Sequence, residues 1–220
     1  MNTVFITGTD TGVGKTVISA AIASFLKDKG VKVGYFKPVE TGCSGICEDG
    51  KILSQITGQK YEEVVLYRFK NPVAPYVAEK YEGKKISFEN IKEKIHEMKS
   101  KYQFLIVEGA GGIMVPITEE KGKIYTYLDL VSQTGLKTLI VSRASLGTIN
   151  HTVLTVKALK SINADIKGIV LNGFSKNPDL SEKTNPYVIE KMTGLKVIVK
   201  CKKSENPVEE CKNHITGILH

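Results

Sequence analysis

The string Gly8-Thr9-Asp10-Thr11-Gly12-Val13-Gly14-Lys15-Thr16 stands between an apolar run of β type, Val4-Phe5-Ile6, and a helical repeat, Val17-Ile18-Ala21-Ile22-Phe25-Leu26. It has the form G-x-x-x-x-G-K-T, and strand, loop and amphipathic helix together are the context such a loop needs to be a phosphate cradle. The glycines let successive backbone N–H groups turn inward around an anion. Lys15 brings a mobile positive charge to the β and γ phosphates, and the Thr16 hydroxyl can complete a Mg²⁺ shell. The phosphates would rest on a helix N-terminus whose dipole favours them. Gly12, Val13, Gly14, Lys15, Thr16 and Val17 are therefore the first candidate nucleotide contacts.

Apolar runs then alternate with helical patterns. Residues 4–7, 31–36, 104–107, 138–141, 166–171 and 195–199 read as strands. They are continuously hydrophobic, as expected of a parallel sheet covered on both faces, and right-handed crossovers would place the loops after each strand along one edge. The fold class expected is α/β: a P-loop NTPase fold, a mostly parallel β-sheet with helices on both faces, as one domain over residues 1–220. Loops starting at Gly8, Lys37, Glu108, Ser142 and Asn172 should line the ligand-binding edge. The stretch from Tyr61 to Ile86, with Asn71-Pro72 and Ala74-Pro75, reads as a long irregular insertion.

Other features mainly exclude. No basic-then-apolar leader and no apolar stretch of bilayer length is present, so a cytoplasmic protein without a membrane role is expected. Net charge is +8, from 31 basic and 23 acidic side chains, but the lysines are scattered. In their densest stretch Phe88, Ile91, Ile95 and Met98 recur at helical spacing with lysines and glutamates between, the pattern of a solvated helix face, and no nucleic-acid partner is expected. Cys43, Cys47, Cys201 and Cys211 lack histidines at zinc-ligand spacing and are expected to be free thiols.

Two side chains stand out at strand ends. Glu108 follows Phe104-Leu105-Ile106-Val107 and precedes Gly109-Ala110-Gly111-Gly112. A carboxylate there can hold Mg²⁺, and the glycines let backbone approach the phosphates closely. Lys37 follows the second strand over the same edge as Lys15, and two converging ammonium groups would repel unless the bound ligand is highly negative.

With Lys37-Pro38 and Thr41-Gly42 taken as one motif, and Val107 to Gly112 and Gly147-Thr148-Ile149-Asn150-His151 added to the phosphate loop, the chain resembles the dethiobiotin synthetases in four ordered motifs between residue 2 and about Gly173. Beyond Gly173 the match fades. The resemblance implies a cyclo-ligase of biotin biosynthesis forming C–N bonds: ATP and CO₂ (or bicarbonate) act on the diamine 7,8-diaminopelargonic acid, with Mg²⁺, through a carbamate and a carbamic-phosphoric anhydride. It implies Lys37, Lys15 and Thr11 as catalytic residues and Thr16, Asp49 and Glu108 as metal ligands. Asp49 is chosen because Ile52-Leu53 and Thr57-Gly58-Gln59 follow it at the family's spacing; Glu48 is the next candidate. Gly109, Ala110 and Gly111 join the nucleotide site, and Asn172 with Gly173 is implied at the base. Thr41, Lys37, Gly147, Thr148, Ile149 and Asn150 are implied at the substrate, in a homodimer whose second subunit donates residues 147–150. Gly12 stands where the family often has an acidic residue, so that side chain's help is absent.

A partitioning-type or other regulatory P-loop ATPase, acting as a nucleotide-gated binding module, is the alternative reading. The partitioning group carries a lysine early in its loop, where this chain has Thr9 and Asp10. His151, near the expected start of a helix over 151–160, is read as capping and packing rather than proton transfer. After the last strand, residues 200–206 are polar and charged, which predicts an open base pocket with weak discrimination between nucleotides.

Overall fold

Along strand β1 (Thr3–Gly8), Val4 and Ile6 enter one hydrophobic core and Phe5 enters another, all three fully buried. This period-two split, repeated by neighbouring strands, is why the runs read as continuously apolar: helices cover both faces of the sheet. The computed structural model describes residues 2–215.

On the first face lies α1 (Lys15–Asp28), which sends Ile18, Ala21, Ile22 and Leu26 inward and leads to β2 (Val33–Glu40). Helix α2 (Glu48–Thr57) follows, then the single turn α3 (Tyr61–Val64) and β3 (Val65–Arg68). The chain next forms α4 (Pro75–Glu82) and α5 (Phe88–Lys101), the latter burying Phe88, Ile91, Ile95 and Met98 on the second face as their spacing predicts. Strand β4 (Phe104–Gly112) returns to the centre, and β5 (Pro116–Glu120) with β6 (Lys123–Thr126) makes a separate antiparallel hairpin. Helix α6 (Tyr127–Thr134) starts in a capping box between Thr126 and Asp129. Strand β7 (Thr138–Arg143), α7 (Thr148–Ser161), β8 (Ile166–Phe174), α8 (Leu180–Thr193), β9 (Val197–Lys202) and α9 (Pro207–Lys212) complete the order.

The main sheet has seven strands in the order β3-β2-β4-β1-β7-β8-β9, with every pairing parallel. The α/β fold expected from the patterning is the one observed. All carboxyl ends share one edge, and β1 lies at its centre between β4 and β7, where the chain switches sides.

Several boundaries differ from expectation. Strand β2 starts two residues later than read and runs on to Glu40, so Lys37 lies within a strand and not in a loop after it. Likewise β4 continues through Glu108 to Gly112. The stretch 61–86 is not irregular: it holds an edge strand and a regular helix, with Pro75 at the first helical turn, where a missing N–H costs nothing. Helix α7 begins at Thr148 with Gly147 as N-cap, three residues ahead of the expected start, so His151 is an exposed first-turn residue and not a cap. Cys43 and Cys47 are joined in a disulfide, against the expectation of free thiols, because the loop after β2 folds back on itself; Cys201 and Cys211 are free and buried. Among the described residues no helix is long and apolar enough to cross a membrane.

Candidate active site

Parity on neighbouring strands builds the site. On β2, Tyr35 faces the α1 side, so Lys37, two residues on, faces it too; on β4, Ile106 does the same and Glu108 follows. With Phe36 registered against Val107, Lys37 and Glu108 become neighbours, and Lys37 Nζ donates to Glu108 Oε1 at 3.0 Å. Helix α1 packs over this pair. Its Thr16 hydroxyl donates to Glu108 Oε1 at 3.1 Å and its Ser19 hydroxyl to Oε2 at 2.5 Å. Asp49, in the first turn of α2, reaches the other side of the same ammonium. Thr16, Lys37, Asp49 and Glu108 thus meet at one point, with Lys37 and Glu108 nearly sealed from solvent.

Burial alone would strip the proton from Lys37, but the carboxylates of Glu108, Asp49 and Glu40 outweigh it and raise its pKa, holding the ammonium charged. Burial likewise works against an ionised Asp49, and Lys37 overrides it, so the Asp49 carboxyl lies below its ordinary range. Lys15 is lowered, because burial outweighs the attraction of Glu108 and Lys37 adds repulsion. Its ammonium turns back onto its own loop, donating to the Asp10 carbonyl at 3.2 Å. The expectation that Lys37 and Lys15 together require a highly negative ligand is corrected on one point: Asp49 and Glu108 already balance Lys37, leaving Lys15 as the cation that Lys37 repels.

A cleft of about 570 Å³ opens above this point. Thr11, Gly12, Gly14, Lys15, Thr16 and Val17 line it from the phosphate loop, Lys37, Thr41 and Asp49 from the β2–α2 side, and Glu108, Ala110 and Gly111 from β4. Gly14 has φ +98°, and a Cβ there would stand 2.1 Å from Asn172 Nδ2, so the loop can close on β8 only as glycine. Asn172 donates to the Val13 carbonyl at 3.0 Å, and with Gly173, Arg143 and Lys203 it lines a smaller hollow of about 260 Å³. Val13 turns inward and Gly109 is buried behind the cleft wall.

Gly147, Thr148, Ile149 and Asn150 do not line the main cleft. They open α7, and the Thr148 side chain is fully buried, its hydroxyl 2.6 Å from that of Ser142, so the backbone N–H groups of this turn and the exposed Asn150 amide are what it can offer an anion. The Thr148 N–H itself donates to the Ser145 carbonyl at 3.3 Å. Beside this turn a hollow of about 460 Å³ runs between the phosphate loop and α7, and Met114 and Leu154 on its rim are exposed apolar side chains.

Three residues escaped the sequence reading. Ser19 lies one helical turn after Thr16, and that i, i+3 spacing on a core-facing side was the available signal. Glu40 accepts from the Asp49 N–H at 2.9 Å and the Gly50 N–H at 3.0 Å, capping α2 from the end of β2, where the N-cap residue Cys47 offers no side-chain acceptor. Arg143, which lines the smaller hollow, pairs with Asp10 of the phosphate loop at 3.0 Å, a contact that depends on β1–β7 register. Glu48, the alternative acid, is exposed.

The donor set at the meeting point, two carboxylates and a hydroxyl, consists only of hard oxygen atoms, which fits Mg²⁺ better than a softer metal. Known proteins match the chain over most of its length. An AAA domain family model matches residues 2–205. The ATP-dependent dethiobiotin synthetase BioD of Aquifex aeolicus is 52% identical over 191 residues, covering 87% of this chain and 84% of its own. That of Bacillus subtilis is 42% identical over 216 residues, covering 96% and 91%. The likeness therefore continues well past Gly173, where the motifs fade. Among solved structures, the MinC:MinD cell division protein complex of Aquifex aeolicus matches at TM-score 0.58 and 18% identity, covering 97% of this chain and 86% of that one. A ParA family ATPase from Chlorobium tepidum matches at 0.57 and 16%, covering 99% and 90%. At that identity the likeness is one of fold.

Proposed function

The chain belongs to the ATP-dependent dethiobiotin synthetase family, and from that premise we propose how its cleft closes a ureido ring on 7,8-diaminopelargonic acid at the expense of ATP. The observation that carries the assignment of roles is the convergence of Thr16, Lys37, Asp49 and Glu108 beneath the phosphate loop.

One amine of the diamine attacks CO₂ and loses a proton, giving a carbamate. Its oxygen attacks the γ-phosphorus of ATP and expels ADP, and the second amine then attacks the carbonyl carbon of the mixed anhydride, expelling phosphate. Charge builds first on the carbamate and then on the transferring phosphoryl group. Lys37, kept ionised by its buried carboxylates, and Lys15, mobile on its loop, are the cations placed to meet it. Thr11 and Thr41, on opposite walls, orient the diamine and carbamate. Backbone N–H groups of Gly12 to Val17, with Gly109 to Gly111 close by, hold the phosphates, and Asn172-Gly173 meets the base.

Thr16, Asp49 and Glu108 are the residues that would hold Mg²⁺, which supplies charge neutralisation at the β and γ phosphates. Ser19 fixes the far oxygen of Glu108 and so its orientation. A cytoplasmic homodimer acting as a single domain per subunit completes the proposal. The exposed Met114 and Leu154 beside the start of α7 support a second copy there, whose Gly147 to Asn150 turn would receive the substrate carboxylate.

The test is ADP release by the purified protein with diamine and bicarbonate supplied together and separately. Release that needs both upholds the proposal, whereas release indifferent to them is the behaviour of a nucleotide-gated module. The loop residues Thr9 and Asp10, where the partitioning ATPases carry lysine, and the named relatives favour the synthetase.

A further inference from the structure

Besides the Lys37–Asp49 ion pair, three tethers hold the first turn of α2, the turn that carries Asp49. Glu40 accepts the N–H groups of Asp49 and Gly50, the Tyr61 hydroxyl accepts the Cys47 N–H at 2.7 Å, and the Cys43–Cys47 disulfide closes the loop from β2 onto the N-cap. Both half-cystines are buried, and a Glu40 carboxylate oxygen stands within 4.8 Å of the two sulfurs. The Cys43 N–H is anchored in turn to the Phe69 carbonyl at 2.9 Å. The loop crest between the cysteines, Ser44 to Ile46, is exposed.

A disulfide separated by four positions closes too small a loop to gain much from restricting the unfolded chain. Its placement is more informative than its contribution to stability: it joins the strand that carries Lys37 to the helix that carries Asp49. In a reducing compartment, structural disulfides are rare and those that form are usually transient and redox-sensing. The other thiols of the chain, Cys201 and Cys211, are buried against α1 and remain free.

We propose that Cys43–Cys47 is a reversible disulfide site that clamps the α2 N-terminus, and that its reduction by a dithiol loosens the turn presenting Asp49. A donor thiolate attacks Sγ of Cys43, the less enclosed of the two buried residues, the S–S bond breaks, and Cys47 departs as thiolate and takes a proton from water. The donor's second thiolate then attacks its own sulfur in the mixed disulfide, freeing Cys43; the dithiol is oxidised and the protein reduced by two electrons. With the clamp open, Glu40, Tyr61 and the Lys37–Asp49 ion pair are left to hold the turn. A weaker grip on Mg²⁺ follows, a consequence that rests on the reading of Asp49 as a metal ligand.

The full-length protein is prepared oxidised with diamide and reduced with dithiothreitol, and thiols are counted in denaturant. Two thiols after oxidation and four after reduction are expected; four after oxidation overturns the site. Hydrogen exchange of the peptide spanning residues 47–53 is followed in both states without nucleotide or metal. Exchange at least fivefold faster on reduction upholds the clamp, and equal rates overturn it. Cys43→Ser, with Cys201 and Cys211 intact, should exchange like the reduced protein under both conditions, which excludes oxidation of the other pair as the cause. The Mg²⁺ concentration for half-maximal ADP release should rise at least threefold on reduction. Faster exchange with an unchanged Mg²⁺ requirement upholds the clamp and counts against Asp49 as a ligand.

Discussion

Lys37 Nζ lies 3.0 Å from Glu108 Oε1, strand beside strand, and its other side meets Asp49, so one buried ammonium bridges both carboxylates. Lys37→Ala therefore removes more than a catalytic charge. It leaves Glu108, which has no solvent access, without its cation. Breaking such a pair typically costs about 3–5 kcal/mol. For a chain of this length that is a Tm lower by roughly 6–20 °C. Turnover should fall by about two orders of magnitude or more. Added Mg²⁺ should recover much of the lost Tm by restoring positive charge between the carboxylates. Thermal melts with and without Mg²⁺ test this, and wild-type turnover in a folded Lys37→Ala enzyme would sink the role assigned to Lys37.

Asp49→Asn should mainly raise the Mg²⁺ requirement, by about tenfold, while Glu48→Gln leaves it unchanged, since Glu48 lines the cleft but Asp49 is the acid that pairs with Lys37. Titrating Mg²⁺ at fixed ATP in both variants decides between the two acids. The same substitution bears on acid stability. The Asp49 pKa is depressed in the folded state, so its contribution is present at neutrality, above the unfolded value near 3.8, and is lost as pH falls through the lower folded value. Asp49→Asn should accordingly flatten the stability profile below about pH 4.

At the alkaline end the two lysines part company. Lys15 is lowered from 10.5 and Lys37 is raised, so on the free enzyme it is Lys15 that loses its proton first. The fall in kcat/KM for ATP at high pH should thus track Lys15, beginning below the ordinary lysine range. Lys15→Arg, weaker at neutral pH, should carry its activity flat through that limb, because a guanidinium stays charged. An unchanged alkaline limb in Lys15→Arg would assign it elsewhere.

Much of this site was legible in the chain and some could not be. The phosphate loop, Glu108 and Lys37 announced themselves because polar groups interrupt runs that burial on both faces makes otherwise apolar. Strand β3 did not: it has four residues at the sheet edge, and Leu66 is partly exposed, so it carries no continuous apolar signal. The β5–β6 hairpin turns through Lys121 and Gly122, both at positive φ, and a lysine is a poor advertisement for a turn that usually takes asparagine. Ser19, the Glu40 cap and the Asp10–Arg143 pair depend on which strands become neighbours, and that order, β3-β2-β4-β1-β7-β8-β9, is set by crossovers that leave no mark at the residues themselves.

The proposed dimer makes a test by mixing possible. Asn150 is exposed in the first turn of α7, so Asn150→Asp should leave the fold intact; an acid there even suits the helix dipole, yet it would repel a substrate carboxylate. The diamine KM should rise at least tenfold with the ATP KM unchanged. Mixed with Lys37→Ala, hybrids contain one site with both residues native, and partial activity should return. No recovery after subunit exchange, or full activity in a monomer, contradicts the shared site.

The hollow proposed for the nucleotide base, beside Asn172 and Gly173, is small and open to solvent. Asn172 spends one amide hydrogen on the Val13 carbonyl and its Oδ1 accepts from the Cys211 thiol at 4.0 Å, which fixes its orientation and leaves the other amide hydrogen to face a base. Around it the hollow is lined by Gly12, Ser145 and Lys203, all exposed, with Arg143 half-buried and already paired to Asp10. Discrimination between bases is strong when the wrong one leaves a buried polar group unpaired, and here water can reach the groups in question. ATP should therefore be preferred over GTP or CTP by about tenfold or less in kcat/KM, roughly 1.4 kcal/mol, with the phosphate loop supplying most of the binding. The three nucleotides compared at saturating diamine and bicarbonate give the answer. A thousandfold preference for ATP would mean that the segment from Lys200 to Asn206 folds over the base when nucleotide binds, since the hollow as it stands has no wall capable of that selectivity.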